Sequence, residues 1–310
     1  MTRRKISRCV LVSAVAALVF TVQAGNPGHA TTVGRPRPPN SVRLYVFDCG
    51  TLHVADVGRF QLKREEVANT DLSVACFFIS HPQGTLIWDT GAVPDERWTT
   101  QGDRTGNLPA TPVDVHLVLP GGDQRDVIMR RGLRAQLNET GYSIGMIDYL
   151  ALSHYHYDHT ANANMFFGET WLVRQVERDA MFADKPPATT DPNTYSRLRG
   201  SKTKIITTDD YDVFGDGTVV IKFAPGHTPG HQVLYLKLAK TGGVVLSGDL
   251  YHYPEERALG RVPAIDFNPD QTRASRAAIE AFLKQSGAQL WIQHDFAGNA
   301  KLKKSPAYYD

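Results

Sequence analysis

Three histidines and an aspartate lie within a short stretch of the chain, as His154, His156, Asp158 and His159. Imidazole nitrogens and carboxylate oxygens are the groups with which proteins bind zinc and related metals. The apolar segment 147–152 comes just before them and has the composition of a short buried strand. Alternate side chains of an extended chain point the same way, so His154 and His156 can reach one ion. Asp158 and His159 lie beyond the turn and can reach a second, so the spacing favours two metal ions over one.

Three further ligand-type residues each follow an apolar, strand-like segment. His227 lies in a Gly/Pro turn, Asp249 follows a glycine at the end of a segment, and His294 follows a third segment. Two metal ions need roughly six to eight ligands, including a carboxylate able to bridge them. Taken singly, each of the three residues is as consistent with a hydrogen-bonded core or turn residue as with a metal ligand. Their recurrence in one context predicts that His227 joins the first metal, Asp249 bridges and His294 completes the second.

The order of these residues resembles that of the metallo-β-lactamase superfamily of hydrolases, and within it the N-acyl homoserine lactonases. The likeness runs from about Val42 to the C-terminus and includes Trp-Asp-Thr-Gly at 88–91 and Thr-Pro-Gly-His at 228–231. The resemblance implies a fold of the α+β class. In this αββα sandwich, two mixed sheets are flanked by helices and the metals lie at one edge of the sheets.

The same resemblance gives each candidate ligand a role. It implies one zinc ion on His154, His156 and His227, a second on Asp158, His159 and His294, and Asp249 as the bridge. Asp89 and His231 are expected just behind the ligands, although Asp89 is equally consistent with a structural turn residue. Iron, manganese or cobalt can replace zinc, because histidine and aspartate sites accept whichever metal is in supply.

Asp158 and His252 are the candidate catalytic residues. Asp158 could orient the attacking water or carry a proton to the leaving alkoxide while it binds the second metal. The lactonases that the chain resembles usually have a tyrosine three residues after the bridging aspartate, where its hydroxyl polarises the lactone carbonyl. This chain has His252 there. A histidine can also donate to a developing oxyanion, or it can be an ordinary residue of the pocket wall.

Two metal ions that share a water lower its pKa and provide a nucleophile for a polarised carbonyl. We therefore predict an exported, zinc-dependent hydrolase that opens the lactone ring of an N-acyl homoserine lactone or a similar small molecule, a quorum-quenching activity. The alternative is hydrolysis of another ester, a thioester, a β-lactam or a phosphoester, because fold and metals alone do not name a substrate. A non-enzymatic zinc protein is a further alternative, although structural zinc sites favour cysteine ligands.

The N-terminus has the pattern of a secretory signal peptide. A basic stretch precedes an apolar run over residues 9–20 and small residues near Ala24. We predict a signal peptide over 1–24, a flexible linker over 25–41 and a hydrolase domain over 42–310. The enzyme would then be periplasmic or secreted, with no stable membrane association after processing. An uncleaved membrane anchor is the alternative, although the apolar run is short for one.

Composition limits the domain count and the partners. The 310 residues are 42% hydrophobic, which is enough for one large core or two modest ones. Because candidate ligands come from both halves, we predict a single domain. The formal net charge is +2, partly from the N-terminus, and no basic stripe suited to a phosphate backbone is present in the sequence. Nucleic acid is therefore excluded as a partner, and the oligomeric state stays open.

Cys49 and Cys76 are the cysteines outside the predicted signal peptide. Both lie in apolar, strand-like surroundings far along the chain from the ligand motifs. We predict buried free thiols in preference to a disulfide, although export permits one.

Strand-like segments outnumber helical ones. Strands are predicted over 43–47, 73–80, 85–89, 147–153, 219–223, 232–238 and 244–247. Amphipathic periodicity predicts helices over 127–138, 174–182 and 272–285. Segments 92–113 and 185–195 lack periodicity and are candidate loops over the metal cleft. Five residues are candidates for an acyl pocket, although core packing is the better interpretation of each one. They are Trp98, Met165, Phe166, Phe167 and Phe182.

Overall fold

The computed structural model describes residues 34–98 and 112–310, in which Arg35–Asp310 form one compact unit. The predicted signal peptide and most of the predicted linker lie outside the described residues. Arg35 belongs to the predicted linker, yet its guanidinium donates to a carboxylate oxygen of Asp148 at 3.1 Å. The folded unit thus begins shortly before position 42. Within the described part of the chain, no helix has the length and apolar character needed to cross a membrane.

The strands of the described residues form two sheets. In chain order they are β1 (Arg43–Leu52), β2 (Leu72–His81), β3 (Gly84–Trp88), β4 (Val113–Val118), β5 (Gln124–Met129), β6 (Tyr149–Ala151), β7 (Thr170–Val173), β8 (Thr203–Ile205), β9 (Asp210–Asp212), β10 (Val219–Phe223), β11 (Gln232–Leu238), β12 (Gly242–Leu246), β13 (Gln289–Trp291) and β14 (Tyr308–Tyr309). The first sheet has the order β4-β5-β1-β2-β3-β6-β7-β8, with β14 also paired to β1, and the second has the order β13-β12-β11-β10-β9. Pairs β3–β6, β6–β7, β7–β8 and β12–β13 are parallel and the other pairs are antiparallel. Both sheets are therefore mixed.

Three apolar layers hold the sheets and helices together. The helices are α1 (Asp95–Trp98), α2 (Leu133–Glu139), α3 (Tyr157–Thr160), α4 (Gln175–Met181), α5 (Pro192–Tyr195), α6 (Pro254–Leu259), α7 (Pro269–Ser286) and α8 (Phe296–Lys301). The layer between the sheets includes Trp88 and Leu234. A second layer joins the first sheet to Leu137 of α2, and a third joins the second sheet to Ile279 of α7. This arrangement confirms the predicted αββα sandwich.

Burial on both faces explains the sequence of the central strands. Every residue of β2 is buried. Successive side chains of a strand point to opposite faces. Phe77 and Ile79 accordingly enter the layer between the sheets, while Cys76 and Phe78 enter the outer layer. A nearly continuous apolar run is what a strand between two packed layers requires.

The helix predicted over 127–138 is wrong in its first part. Val127 and Met129 belong to β5, which pairs with β4 in a hairpin whose register sets Val127 opposite Val115. The Val127 and Met129 side chains are buried and that of Ile128 between them is more exposed, which is the two-residue period of a strand. Helix α2 begins only at Leu133. The apolar positions of 127–138 fit both periods, and tertiary pairing with β4 decides between them.

The helix predicted over 272–285 is confirmed as α7. It begins earlier than predicted, because the Asn268 side chain accepts from the N–H groups of Asp270 and Gln271 and Pro269 occupies the first turn. Gly287 ends it in a left-handed conformation, with φ 69°.

The prediction of free thiols at Cys49 and Cys76 is wrong. The two residues form a disulfide between β1 and β2, with their Cα atoms 5.9 Å apart. The register sets Phe47 opposite Cys76, and an irregularity after Asp48 shifts the pairing. This shift brings Cys49, two residues after Phe47, next to Cys76. The two cysteines are 27 residues apart, and this spacing does not predict the register of β1 against β2. The sequence alone therefore could not predict the disulfide.

Removing this disulfide should destabilise the protein. The double variant Cys49→Ala/Cys76→Ala is expected to lose about 3 kcal/mol of unfolding free energy, because the bond closes a loop of 27 residues in the unfolded chain. Urea denaturation with and without a thiol reductant measures the effect. The wild type should lose a similar amount on reduction and the double variant should not respond. Equal stability of the two proteins without reductant would contradict the prediction.

Candidate metal centre

Strand ends place all seven predicted ligands in one region. The segment from His154 to His159 follows β6, and its second half forms the first turn of α3. His227 follows β10, Asp249 follows β12 and His294 follows β13. The seven residues form two groups, and within each group the ligand atoms lie within 4.8 Å of one another. The groups are His154, His156, His227 and Asp249, and Asp158, His159 and His294.

Asp249 lies between the two groups. Its Oδ2 atom is 3.5 Å from His154 Nε2 and 3.2 Å from His227 Nε2. Its Oδ1 atom is 3.0 Å from both His159 Nε2 and His294 Nε2. Each carboxylate oxygen thus faces a different pair of imidazoles. This is the geometry that a bridging carboxylate requires.

The remaining two ligands complete the groups. His156 Nδ1 lies 3.0 Å from His227 Nε2. Asp158 Oδ2 lies 3.6 Å from His294 Nε2 and 3.8 Å from His159 Nε2. Nitrogen atoms that approach this closely need either a proton or a cation between them. The seven residues therefore converge on two neighbouring positions where a cation would be stabilised.

The protonation of His154, His156 and Asp249 suits metal binding, whereas for His159 and His227 burial would lower the pKa but Asp249 raises it. Burial, together with the neighbouring imidazoles, holds the pKa of His154 and His156 well below the usual value, so their lone pairs are free. Burial alone would raise the pKa of Asp249, but the His294 and His159 rings hold it well below the usual range. Within the described residues, His154 Nε2 and Asp249 Oδ1 are buried without a hydrogen-bond partner. Such atoms are what a pair of divalent cations would satisfy.

In four of the histidine ligands, the ring nitrogen that points away from the centre contacts another group of the protein. His159 Nδ1 contacts Asp89 Oδ2 at 2.9 Å, and His227 Nδ1 contacts Asp266 Oδ1 at 2.8 Å. His294 Nδ1 donates to the Ser73 carbonyl at 2.7 Å, and His154 Nδ1 lies 3.0 Å from Ser153 Oγ. The carboxylate and carbonyl contacts fix the tautomers of His159, His227 and His294, and all four contacts hold the orientation of the rings. Asp89 was expected here; Asp266 was not, because it lies in a loop without any motif.

Asp89 occupies an unusual backbone conformation. Its φ is 58°, in the left-handed region that aspartate tolerates better than most residues. Its carboxylate also accepts from Ser153 N and Gln293 Nε2, each at 2.6 Å. Asp89 therefore ties β3, the ligand loop after β6 and the segment before His294 to one another.

His231 lies directly behind the bridging residue. Its Nδ1 donates to the Ala224 carbonyl at 2.8 Å, and its Nε2 accepts from the Asp249 N–H at 2.9 Å. Burial lowers the pKa of His231 to about 4, so the ring is neutral, as an acceptor must be. Gly248 has φ 49°, and a Cβ there would lie 2.7 Å from His231 Nε2. The glycine before Asp249 lets the two backbones approach.

His252 contacts the centre without joining either ligand group. Its Nε2 lies 3.2 Å from Asp249 Oδ2, and its Nδ1 lies 3.2 Å from Glu256 Oε1. Glu256 also accepts from Arg276 at 2.6 Å, and the Phe60 ring lies 4.6 Å from the His252 ring. Burial would lower the pKa of His252, but Glu256 and Asp249 raise it to about 10. The ring is fixed, with Nε2 directed toward the bridging carboxylate.

Glu177 of α4 joins the two histidine loops, and no motif in the sequence predicted this role. Its carboxylate accepts from Tyr155 N at 2.8 Å, Thr228 Oγ1 at 2.8 Å and Gly230 N at 2.7 Å. Burial raises the pKa of Glu177 to about 7, against these donors, which lower it. The loop after β6 and the turn after β10 are therefore held by one buried carboxyl group.

Glu177 should make the protein less stable as the pH rises. The folded protein binds this proton up to about pH 7, whereas the ordinary pKa is 4.5. The stabilisation is complete below about pH 4.5 and lost above about pH 7, roughly 3 kcal/mol in all. Urea unfolding of the wild type and Glu177→Gln tests this. Between about pH 5 and about pH 8 the free energy of unfolding of the wild type should fall by most of this amount relative to that of Glu177→Gln. A difference between the two proteins that does not change with pH would contradict the prediction.

A cavity of about 590 Å³ opens onto the centre. Its wall includes His156, Asp158, His227, Asp249, His252 and His294, with Leu52, Phe60, Leu72 and Ile265 as apolar members. The acyl-pocket prediction is wrong, because Trp98, Met165, Phe166, Phe167 and Phe182 do not line this cavity. Phe166 is fully buried in the outer core layer and Phe182 packs on Trp171. The chain after β1 and the β4–β5 turn form the wall instead.

The predicted cleft loops contribute little of this wall in the described residues. Segment 185–195 supplies Thr189. The centre of segment 92–113 lies outside the described residues, and its described ends do not reach the cavity.

Comparison with known proteins identifies relatives. A model of the metallo-beta-lactamase superfamily matches residues 111–289. Proteins named N-acyl homoserine lactonase AttM from Azorhizobium caulinodans and Rhizobium radiobacter are 28% and 29% identical to the chain. The matches cover 87% and 86% of this chain and 99% and 98% of those proteins.

Two solved structures share the fold. An N-acyl homoserine lactone hydrolase with the product N-hexanoyl-L-homoserine bound at its catalytic metal centre has a TM-score of 0.67 and 23% identity, over 86% of this chain and 99% of that one. AidC, a dizinc quorum-quenching lactonase, has a TM-score of 0.58 and 17% identity, over 87% of this chain and 94% of that one.

Proposed function

We propose, since this chain belongs to the metallo-beta-lactamase superfamily, that it is an exported enzyme that opens N-acyl homoserine lactones with a pair of metal ions. The chain is a lactonase-like hydrolase, similar over nearly the full length of relatives that carry the lactonase name. The observation that carries the proposal is Asp249, whose two oxygens face two pairs of histidines beside a cavity.

The donor set fits zinc, and also iron, manganese or cobalt. The ligand groups contain only imidazole nitrogens and carboxylate oxygens, and two of these atoms are buried without a partner. When bound, a pair of such ions supplies Lewis-acid polarisation of a carbonyl and activation of a water molecule. The residues that would hold them are the two groups with Asp249 between them.

Asp158 is suited to move the proton. Its carboxylate faces the second ligand group and also lines the cavity, with 9% of the side chain exposed. Water adds its oxygen to the lactone carbonyl carbon, and the ring C–O bond breaks to leave an alkoxide. Asp158 can take the proton that the water loses and deliver it to that alkoxide. The product is then a hydroxy acid, and no side chain is consumed.

His252 is suited to bind the carbonyl oxygen as it gains charge. Glu256 holds Nδ1, so the Nε2 side of the ring faces the bridging carboxylate, and His252 lines the cavity. A donor fixed in advance stabilises a developing oxyanion without reorganisation. In this role the imidazole does the work of the tyrosine found in the lactonases that the chain resembles.

The Cys49–Cys76 disulfide supports the export part of the proposal. Disulfides persist in oxidising compartments and are rare where thioredoxin and glutathione act. Together with the basic and apolar N-terminal sequence, the bond favours a periplasmic or secreted enzyme.

Acid release from N-hexanoyl-homoserine lactone by the purified, metal-loaded protein tests the proposed reaction. A β-lactam, a thioester and a phosphodiester serve as comparison substrates. The lactone should be hydrolysed with the highest kcat/KM of the set. A protein that holds metal and cleaves one of the others, but releases no acid from the lactone, would overturn the proposal.

A further inference from the structure

We infer that Arg59 binds an anionic group of the substrate, so that the preferred lactone carries a carboxylate on its acyl substituent. This inference rests on the proposed lactonase function and concerns the specificity of the same site. Arg59 lines the cavity that opens onto the ligand groups. No property of the metal centre itself requires an arginine there.

The guanidinium of Arg59 has no hydrogen-bond or ion-pair partner among the described residues. Its Nε atom is buried, its N–H donates to no acceptor of the described residues, and no carboxylate there forms an ion pair with the guanidinium. A buried N–H of a charged group is costly to leave unpaired. Because Arg59 also lines the cavity, a ligand bound there can supply the acceptor that the protein does not.

The other charged groups of the cavity wall are already paired. Arg125 donates to Asp123 at 2.7 Å and to the Gln124 carbonyl at 2.8 Å. Asp126 contacts His116 at 2.8 Å, and Asp56 accepts from a backbone N–H at 2.8 Å. The two remaining carboxylates belong to the ligand groups. Arg59 is therefore the charged group of the described wall that is left for a substrate.

The position of Arg59 is fixed by its backbone. It lies in a short helical turn, Val57–Phe60, that the Asp56 side chain caps. Its carbonyl accepts from Ala264 N at 3.0 Å, which ties the turn to the loop that carries Asp266. A charged group on a fixed turn discriminates between ligands better than one on a mobile chain.

One aromatic ring separates Arg59 from the centre. The guanidinium carbon lies 5.6 Å from the Phe60 ring centroid, and the Phe60 ring lies 4.6 Å from the His252 ring. A lactone held near His252 would thus extend its acyl substituent along Phe60 toward Arg59. The planar guanidinium matches a carboxylate with two parallel hydrogen bonds, which a methyl group cannot accept.

Two substrates of equal chain length test this inference: N-succinyl-homoserine lactone, which ends in a carboxylate, and N-butanoyl-homoserine lactone, which ends in a methyl group. The wild type should favour the succinyl compound in kcat/KM by roughly tenfold. Arg59→Met should abolish this preference, mainly through KM, and Arg59→Lys should keep part of it. Added salt should weaken the wild-type preference.

Arg64→Met is the matched control, because Arg64 lies on the neighbouring segment, is exposed and does not line the cavity. It should keep the wild-type ratio of the two kcat/KM values. If both lactones are opened and the ratio is the same in the wild type and Arg59→Met, the inference alone is overturned. If the metal-loaded wild type opens neither lactone, the proposed function fails and the inference fails with it.

Discussion

Asp249→Asn is expected to lower kcat/KM for lactone hydrolysis roughly a thousandfold, and to reduce the metal content of the protein. The carboxylate presents one oxygen to His154 and His227 and the other to His159 and His294. An asparagine keeps the shape but offers one oxygen and one NH2 group. Whichever way the amide turns, one pair of imidazoles faces a donor in place of an acceptor, and no negative charge remains between the two ligand groups.

Steady-state kinetics and elemental analysis of the dialysed protein measure this effect. Asp270→Asn provides the control, since Asp270 is an exposed residue of α7 outside both ligand groups. That variant should match the wild type in metal content and in kcat/KM. An Asp249→Asn protein with full metal content and full activity would refute the bridging role.

His252→Phe is expected to lower kcat roughly a hundredfold while the metal content stays at the wild-type level. Phenylalanine preserves the ring that packs against Phe60 but removes the Nε2 donor beside Asp249 Oδ2. If the donor acts on the developing oxyanion, the loss falls on kcat and KM changes little. A residue of the pocket wall would instead shift KM.

His252→Tyr separates the two roles. A phenol can donate to the same oxyanion, so this variant should recover much of the activity that His252→Phe loses. Equal activity of the wild type and His252→Phe, with metal content also equal, would show that His252 only lines the cavity. The Glu256 contact to Nδ1 predicts in addition that Glu256→Gln weakens the positioning of the ring.

The parts of the fold that the sequence predicted are those with a local signature. The seven predicted strands correspond to β1, β2, β3, β6, β10, β11 and β12, which are mostly the central, doubly buried strands with apolar runs. Strands β8, β9 and β14 lie at edges or are very short, so few apolar side chains mark them. The segment of β5 fits a helical period until β4 pairs with it.

Within the candidate site, the seven ligands could be proposed because each follows a strand end and carries a metal-binding group. Asp266, Glu177 and Arg59 could not be proposed in this way. Each lies far from the ligands in sequence, and its role depends on the fold that brings it to His227, to the two histidine loops or to the cavity. The Cys49–Cys76 bond depends likewise on the register of β1 against β2.

Zinc titration of the chelator-stripped protein, with lactone turnover and bound metal measured at each step, tests the central claim most directly. The stripped protein should be inactive, and turnover should rise until both ligand groups, and hence two ions per chain, are filled. Turnover that survives complete removal of metal, or a plateau of binding far below two ions per chain, would contradict the account.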